Sequence, residues 1–117
     1  MMSPGVSVLI ASYNSKSMLI PCIEHLTGQT LPANRFEVIV VLDGSTDGSR
    51  PALEAMQLPF KMKIIEQKQQ GKATALNRGV EQAEGEYLVI IDSDILVVPE
   101  FLEAHLQAHN KGDVVIG

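Results

Sequence analysis

The chain of 117 residues contains no tryptophan and a single cysteine, and its aromatic side chains are limited to two Tyr and three Phe. With one cysteine no internal disulfide can form, which points to a reducing compartment and leaves stability to packing. Long apolar runs are missing too: none approaches the roughly 20 residues that span a bilayer, and the first residues carry neither a basic region nor a cleavage site. The expectation is a soluble, cytoplasmic chain, any membrane association being left to a longer parent. Positive charge is also scarce. Nine Lys and Arg against fourteen Asp and Glu give a net charge of -5, which argues against nucleic acid as a partner. The same deficit means that a phosphate-bearing ligand would need a metal, helix N-termini or a few well-placed Lys to offset repulsion.

What is present is ordinary for a globular domain. Hydrophobic residues make up 45% and charged residues 20%, in a length that suits one domain burying roughly two thirds of its unfolded surface. Cys22 stands in Leu19-Ile20-Pro21-Cys22-Ile23 and reads as a packed thiol. Residues 6–11, 36–42, the weaker 62–66 and 87–91 read as strands, and 113–116 begins another. Leu19, Ile23 and Leu26 recur at helical spacing in a helix that starts near Ser15 or Ser17 and stops at Gly28. Pro21 is tolerable in its first turn but expected to kink a longer helix. Further helices are expected around 52–56, over 72–83 with Ala73, Leu76 and Val80 as the apolar face, and after Pro99-Glu100 with Phe101, Leu102 and Leu106. Strands alternating with helices predict an α/β fold: a three-layer, open, mostly parallel, Rossmann-like sheet with helices on both faces, in one domain over 1–117. The weaker third strand belongs near a sheet edge.

The apolar run of the fourth strand stops abruptly at Asp92-Ser93-Asp94. Two carboxylates one residue apart repel each other, which a divalent cation such as Mn²⁺ or Mg²⁺ would relieve; the bland alternative is a strand end and a solvated turn. In an open parallel sheet, ligands bind outside the carboxyl ends of the strands. Ser12-Tyr13-Asn14, Asp43-Gly44-Ser45, Glu66-Gln67-Lys68 and Asp92-Ser93-Asp94 all lie there, so they share one rim, and that convergence favours the metal. On this rim Tyr13 suits stacking on a base or covering the sheet edge. Asp43 is a turn former or an acceptor for a ligand N–H. Lys72 stands at a helix start, where the dipole disfavours a cation, and calls for a ligand anion or for solvent. The small, glycine-rich loop from Asp43 to Ser49 can cap the helix that follows. His105 and His109 are four apart but have no Glu between them, and read as surface.

Four segments together resemble the N-terminal half of family 2 glycosyltransferases, which use nucleotide-diphosphate sugars on a GT-A fold. They are Val6-Ser7-Val8-Leu9-Ile10-Ala11-Ser12-Tyr13-Asn14, Val38-Ile39-Val40-Val41-Leu42-Asp43-Gly44-Ser45-Thr46-Asp47-Gly48-Ser49, Gly71-Lys72-Ala73-Thr74-Ala75-Leu76-Asn77-Arg78-Gly79 and Glu84-Gly85-Glu86-Tyr87-Leu88-Val89-Ile90-Ile91-Asp92-Ser93-Asp94. The resemblance implies a nucleotide site of Ser12, Tyr13, Asn14, Asp43, Lys72 and Asp92. Within it Ser12 and Tyr13 would line the base pocket, Asp43 would contact the base and Lys72 would lie near the nucleotide. Asp92 would meet the ribose or the metal, and Asp94 the metal that bridges the diphosphate. The implied cofactor is Mn²⁺ or Mg²⁺, and the implied partner a nucleotide-diphosphate sugar, a UDP-sugar foremost. Two positions depart from the family pattern: Leu42 stands where a second acid is usual, and Ala11 where a Pro is usual. The family's general base and acceptor-side residues lie beyond this length, so the catalytic residue is unknown and 1–117 is expected to be the donor-binding part of a longer domain. An apolar edge at Val114-Val115-Ile116 is expected to favour self-association. A donor-binding module without catalysis remains an alternative. A signalling receiver domain would need an acidic pair after the first strand, and a nucleotidyltransferase a basic, glycine-rich loop there; neither is present.

Overall fold

Period-two alternation decides which way each strand faces. In β1 (Val6–Ser12), Val6, Val8 and Ile10 enter one core and Leu9 the other; β2 (Phe36–Asp43) likewise sends Phe36, Val38, Val40 and Leu42 one way and Ile39 and Val41 the other. Both strands are buried almost throughout, as strands covered on two faces must be. The computed structural model describes residues 5–108 and the backbone of 114–116. Its remaining elements are α1 (Lys16–Leu26), a 3-10 turn at Ala33–Arg35, α2 (Ser49–Glu54), β3 (Lys61–Gln67), α3 (Lys72–Gln82), β4 (Tyr87–Ile90), α4 (Phe101–Ala108) and β5 (Val114–Ile116).

The strand order is β3-β2-β1-β4-β5, and every pairing is parallel. The expected three-layer α/β sheet is therefore present, with β3 at one edge as its weaker pattern implied and β5 as the outer strand on the other side. α1, α2 and α4 contribute Leu19, Cys22, Ile23, Leu26, Leu53 and Leu102 to the larger core on one face. α3 covers the other face, where Ala75 meets Leu9, Ile39 and Val41.

Two local expectations are corrected. The buried face of α3 is Ala75 and Gly79, whereas Ala73 and Val80 are exposed. The reason is closeness: a Cβ at Gly79 would stand 3.1 Å from a methyl of Leu9, so small residues, not large ones, mark the side that meets the sheet. α2 begins at Ser49, earlier than expected, and takes Pro51 into its first turn, where the missing N–H would have had no partner in any case. α1 starts and stops as expected: it runs from Lys16 through Pro21 to Leu26, is capped at Thr27, whose hydroxyl donates to the Glu24 carbonyl at 2.6 Å, and gives way at Gly28. His109 lies outside the described residues, and His105 packs edge-on against Phe101.

The amino ends of the strands are held by a buried polar knot. Glu37, 1% exposed, accepts from the Ser7 hydroxyl at 2.6 Å and the Glu84 amide at 2.7 Å through Oε2. Its Oε1 lies 3.3 Å from Lys63 Nζ, an ion pair outside hydrogen-bonding geometry. The Gly85 amide donates to Ser7 Oγ, and a Cβ at Gly85 would fall 2.6 Å from the Ser7 nitrogen. Gly85→Ala must push backbone against backbone at the turn from α3 into β4, and is expected to lower folding stability by about 1–3 kcal/mol in urea melts.

Candidate functional site

Because all strands run the same way, the carboxyl ends of β1 to β4 lie along one edge, and the strand order reverses between β1 and β4. That reversal is where the chain opens a crevice in a sheet of this kind. A cleft of about 360 Å³ lies on this edge, lined among others by Ser12, Tyr13, Asp43, Gln69, Gly71 and Lys72. Four of these are residues named from the sequence. Tyr13 is 48% exposed, leaving its ring available on the cleft wall. Ser12 is buried, yet its hydroxyl has no hydrogen-bond partner among the described residues.

Asp43 is the last residue of β2, and its place in the alternation turns its side chain to the α3 face. There Oδ1 accepts from Gln67 Nε2 at 2.9 Å and the Gln70 amide at 2.8 Å, and Oδ2 accepts from the Gly71 amide at 3.0 Å. These donors, the Gln67 amide first, hold the carboxyl below its ordinary range despite burial that works the other way. Asp43 thus ties β2 to the approach of α3 while Oδ2 keeps room for one more donor. Gly44 makes the approach possible: its φ is +81°, and a Cβ there would sit 2.9 Å from that of Gln69.

Of the site residues named from the sequence, Asp92, Asp94 and Asn14 are not in the lining of this cleft, and Asn14 is engaged within the chain. It stands outside the cleft lining, in the left-handed region at φ 46°, and clasps the β2–α2 loop: its amide donates to Ser45 Oγ at 3.0 Å and its Oδ1 accepts from the Thr46 amide at 2.7 Å. Asp47, read from sequence only as part of a capping loop, completes the clasp. Its Oδ2 accepts from the Lys16 amide at 2.9 Å, and its Oδ1 from the Ser49 amide at 3.2 Å and the Ser49 hydroxyl. Lys16 and Ser49 are the first residues of α1 and α2. One carboxylate therefore caps two helices, neither of which has a cap from its own N-cap side chain. The spacing of a second Asp four residues after Asp43 was the available signal, but its reach to α1 is a contact 31 residues away in the chain.

The acidic segment turns as expected, with the Ile95 amide donating to the Asp92 carbonyl at 3.1 Å and both carboxylates exposed. Lys72, for which an anion or solvent was expected, has an anion from the chain itself: its Nζ lies 2.5 Å from Asp92 Oδ1. Asp94 lies close enough to Cys22 for its charge to act on the thiol. Burial first and that charge second push the thiol up to about 11, and Cys22 stays protonated at neutral pH beneath the acidic turn. Cys22 is the packed thiol the sequence implied, its Sγ 3.9 Å from the Asp92 carbonyl. Among the described residues, no three His, Cys, Asp or Glu side chains gather into a ready-made cation cage. No described helix is long and apolar enough to cross a membrane.

A parallel α/β sheet with a polar cleft at the carboxyl ends of its strands defines a class of ligand-binding folds, and the comparisons narrow it. The model of glycosyl transferase family 2 matches residues 7–117, and the chain belongs to that family. It is 38% identical over 118 residues to the putative glycosyltransferase EpsH of Bacillus subtilis, covering 99% of this chain and 34% of that protein. It is equally 38% identical over 120 residues to glycosyltransferase GlyG of Streptococcus pneumoniae, covering 99% of this chain and 39% of the relative. The chain thus spans little more than a third of the length of these curated relatives. Among solved structures, S. aureus TarS 1-349 in complex with UDP-GlcNAc superposes with a TM-score of 0.79 at 31% identity, over 85% of this chain and 29% of that one. The mannosyltransferase PcManGT from Pyrobaculum calidifontis, in complex with GDP-Man and Mn²⁺, gives 0.75 at 31% identity, over 82% and 29%. The fold is the GT-A type that the sequence resembled.

Proposed function

We propose that the cleft holds a nucleotide-diphosphate sugar, a UDP-sugar foremost, and that this chain is the donor-binding part of an enzyme that transfers the sugar to an acceptor. The observation that carries the reading is the division of the rim into two chemistries. At one end Ser12 offers a hydroxyl without a partner, Tyr13 an exposed ring and Asp43 a carboxylate with one acceptor position open, a set that suits the edge and face of a base. At the other end Lys72 is paired with Asp92, and the exposed Asp94 follows two residues on in the same turn, a set that suits a diphosphate with a metal. The complexes of TarS with UDP-GlcNAc and of PcManGT with GDP-Man and Mn²⁺ support both halves.

The donor set fits the metal. Asp92 and Asp94 are hard oxygen ligands on a single turn, and Mn²⁺ or Mg²⁺ ordinarily leaves its other positions to water and phosphate oxygens. A cation held there would stabilise the negative charge that gathers on the departing diphosphate. The chain's own residues position the donor: Tyr13 and Asp43 orient the base, and Lys72 draws the phosphates to the start of α3. Calorimetric binding of UDP is expected to require Mn²⁺, and Asp94→Asn to weaken it about tenfold or more. Equal affinity in EDTA would remove the metal from this account.

A further inference from the structure

Lys72 is the first residue of α3, so its ammonium stands at the positive end of a helix dipole, where a cation is disfavoured. What keeps it there is Asp92, at 2.5 Å, one of the two carboxylates assigned above to the metal. The same carboxylate oxygen cannot serve an ammonium and a divalent cation at full strength. On the reading of the cleft as a nucleotide-diphosphate site, we propose that Lys72 is a guard residue that couples metal binding to diphosphate binding, so that each favours the other.

A metal arriving alone must displace the ammonium from Asp92 and leave it without an anion beside the helix N-terminus. A diphosphate arriving alone meets the two carboxylates of Asp92 and Asp94, with the nearby ammonium already engaged. When both arrive, Asp92 turns to the metal, Lys72 turns to a phosphate oxygen, and each charge has a partner of opposite sign. The exchange requires no backbone motion, because both side chains are more than half exposed, 61% for Lys72 and 54% for Asp92. Coupling of this kind is reciprocal: the factor by which the diphosphate improves metal affinity equals the factor by which the metal improves diphosphate affinity. Exposure also sets its size. A solvent-exposed ion pair contributes little, so the guard changes affinity for metal alone by about two- to fivefold and not by orders of magnitude.

The guard predicts opposite signs for one substitution. Lys72→Met is expected to bind Mn²⁺ alone about two- to fivefold more tightly than the unaltered chain. In saturating Mn²⁺ it is expected to bind UDP and GDP about tenfold more weakly, because the released ammonium is no longer there for the phosphates. Lys61→Met removes the same charge from an exposed lysine at the amino end of β3, the end of the sheet opposite the rim, and is the control for net charge. It is expected to match the unaltered chain in both titrations. Mn²⁺ binding is read from the electron paramagnetic resonance of the free ion and nucleotide binding from calorimetry, so sugar transfer is not involved. Unchanged or weaker Mn²⁺ affinity in Lys72→Met overturns the guard even if nucleotide binding by the unaltered chain is normal. Equal gains in Lys61→Met and Lys72→Met overturn it as well, since net charge would then be the cause. If the unaltered chain binds neither UDP nor GDP in Mn²⁺, the nucleotide reading itself fails and the guard fails with it.

Discussion

Asp47→Ala is expected to lower folding stability by about 2–4 kcal/mol, because it uncaps two helices at once and removes a charge-assisted acceptor from three donors. Without it the first amides of α1 and α2 lose their acceptor, as does the Ser49 hydroxyl. Urea melts would show the loss as a lower midpoint with an unchanged slope. The acid side of the stability curve gives an independent reading. Hydrogen bonds from the Ser49 side chain first and the Lys16 amide next hold the Asp47 carboxyl below its ordinary value in the folded chain. Its contribution is therefore complete above the unfolded value of about 3.9 and lost as pH falls through the lower folded value. Asp47→Ala should flatten the decline of stability below about pH 4. A variant with the parent's midpoint and acid profile would show that the clasp holds nothing.

The second large effect is expected at Asp43, where the fold and the proposed recognition of the base meet in one carboxylate. Asp43→Ala deprives Gln67, Gln70 and Gly71 of their acceptor, and a loss of about 2–4 kcal/mol is expected from three donors of which Gln67 is buried. The carboxyl is again held below its ordinary range by these donors, so this stabilisation too is present at neutral pH and fades only in acid. Under the proposed function the same variant should lose discrimination among UDP, GDP and ADP while still requiring Mn²⁺, since Asp92 and Asp94 are untouched. Affinity ratios for the three nucleotides, measured at a temperature where the variant remains folded, test this directly. A variant that kept its base preference but bound without metal would reverse the assignment of the two ends of the cleft.

The elements were legible because their signals are local. The apolar runs of β1 and β2, the helical spacing of Leu19, Ile23 and Leu26, and the small residues where each strand gives way to a loop are all features of a few consecutive residues. The rim followed from topology, once parallel pairing was assumed. What escaped was whatever depends on two distant segments meeting. Lys72 was read against solvent or a ligand because nothing near it in sequence names Asp92, 20 positions on. Asn14 was grouped with its neighbours Ser12 and Tyr13, yet its partners are Ser45 and Thr46. The face of α3 was misread for another reason: hydrophobic periodicity gives weight to Val80, while close packing on Leu9 and Val41 selects Gly79.

The strand order also has a consequence for how the chain is made. β1 lies in the middle of the sheet, with Leu9 paired to Ile39 on one side and to Ile90 on the other. Of the described strands it is synthesised first, yet its second neighbour, β4, leaves the ribosome about eighty residues later, some 4–16 s at ordinary elongation rates. During that interval a nascent chain can pair β1 with β2 and β3, but the flank that will receive β4 stays open. Asp92 and Asp94 follow β4 directly, so of the strand ends β1 to β4 on this rim theirs is the last to be set in place. The rim between β1 and β4 is consequently set later than the rim between β1 and β2, and the β4 side of β1 is the flank of that strand open longest to holdase chaperones.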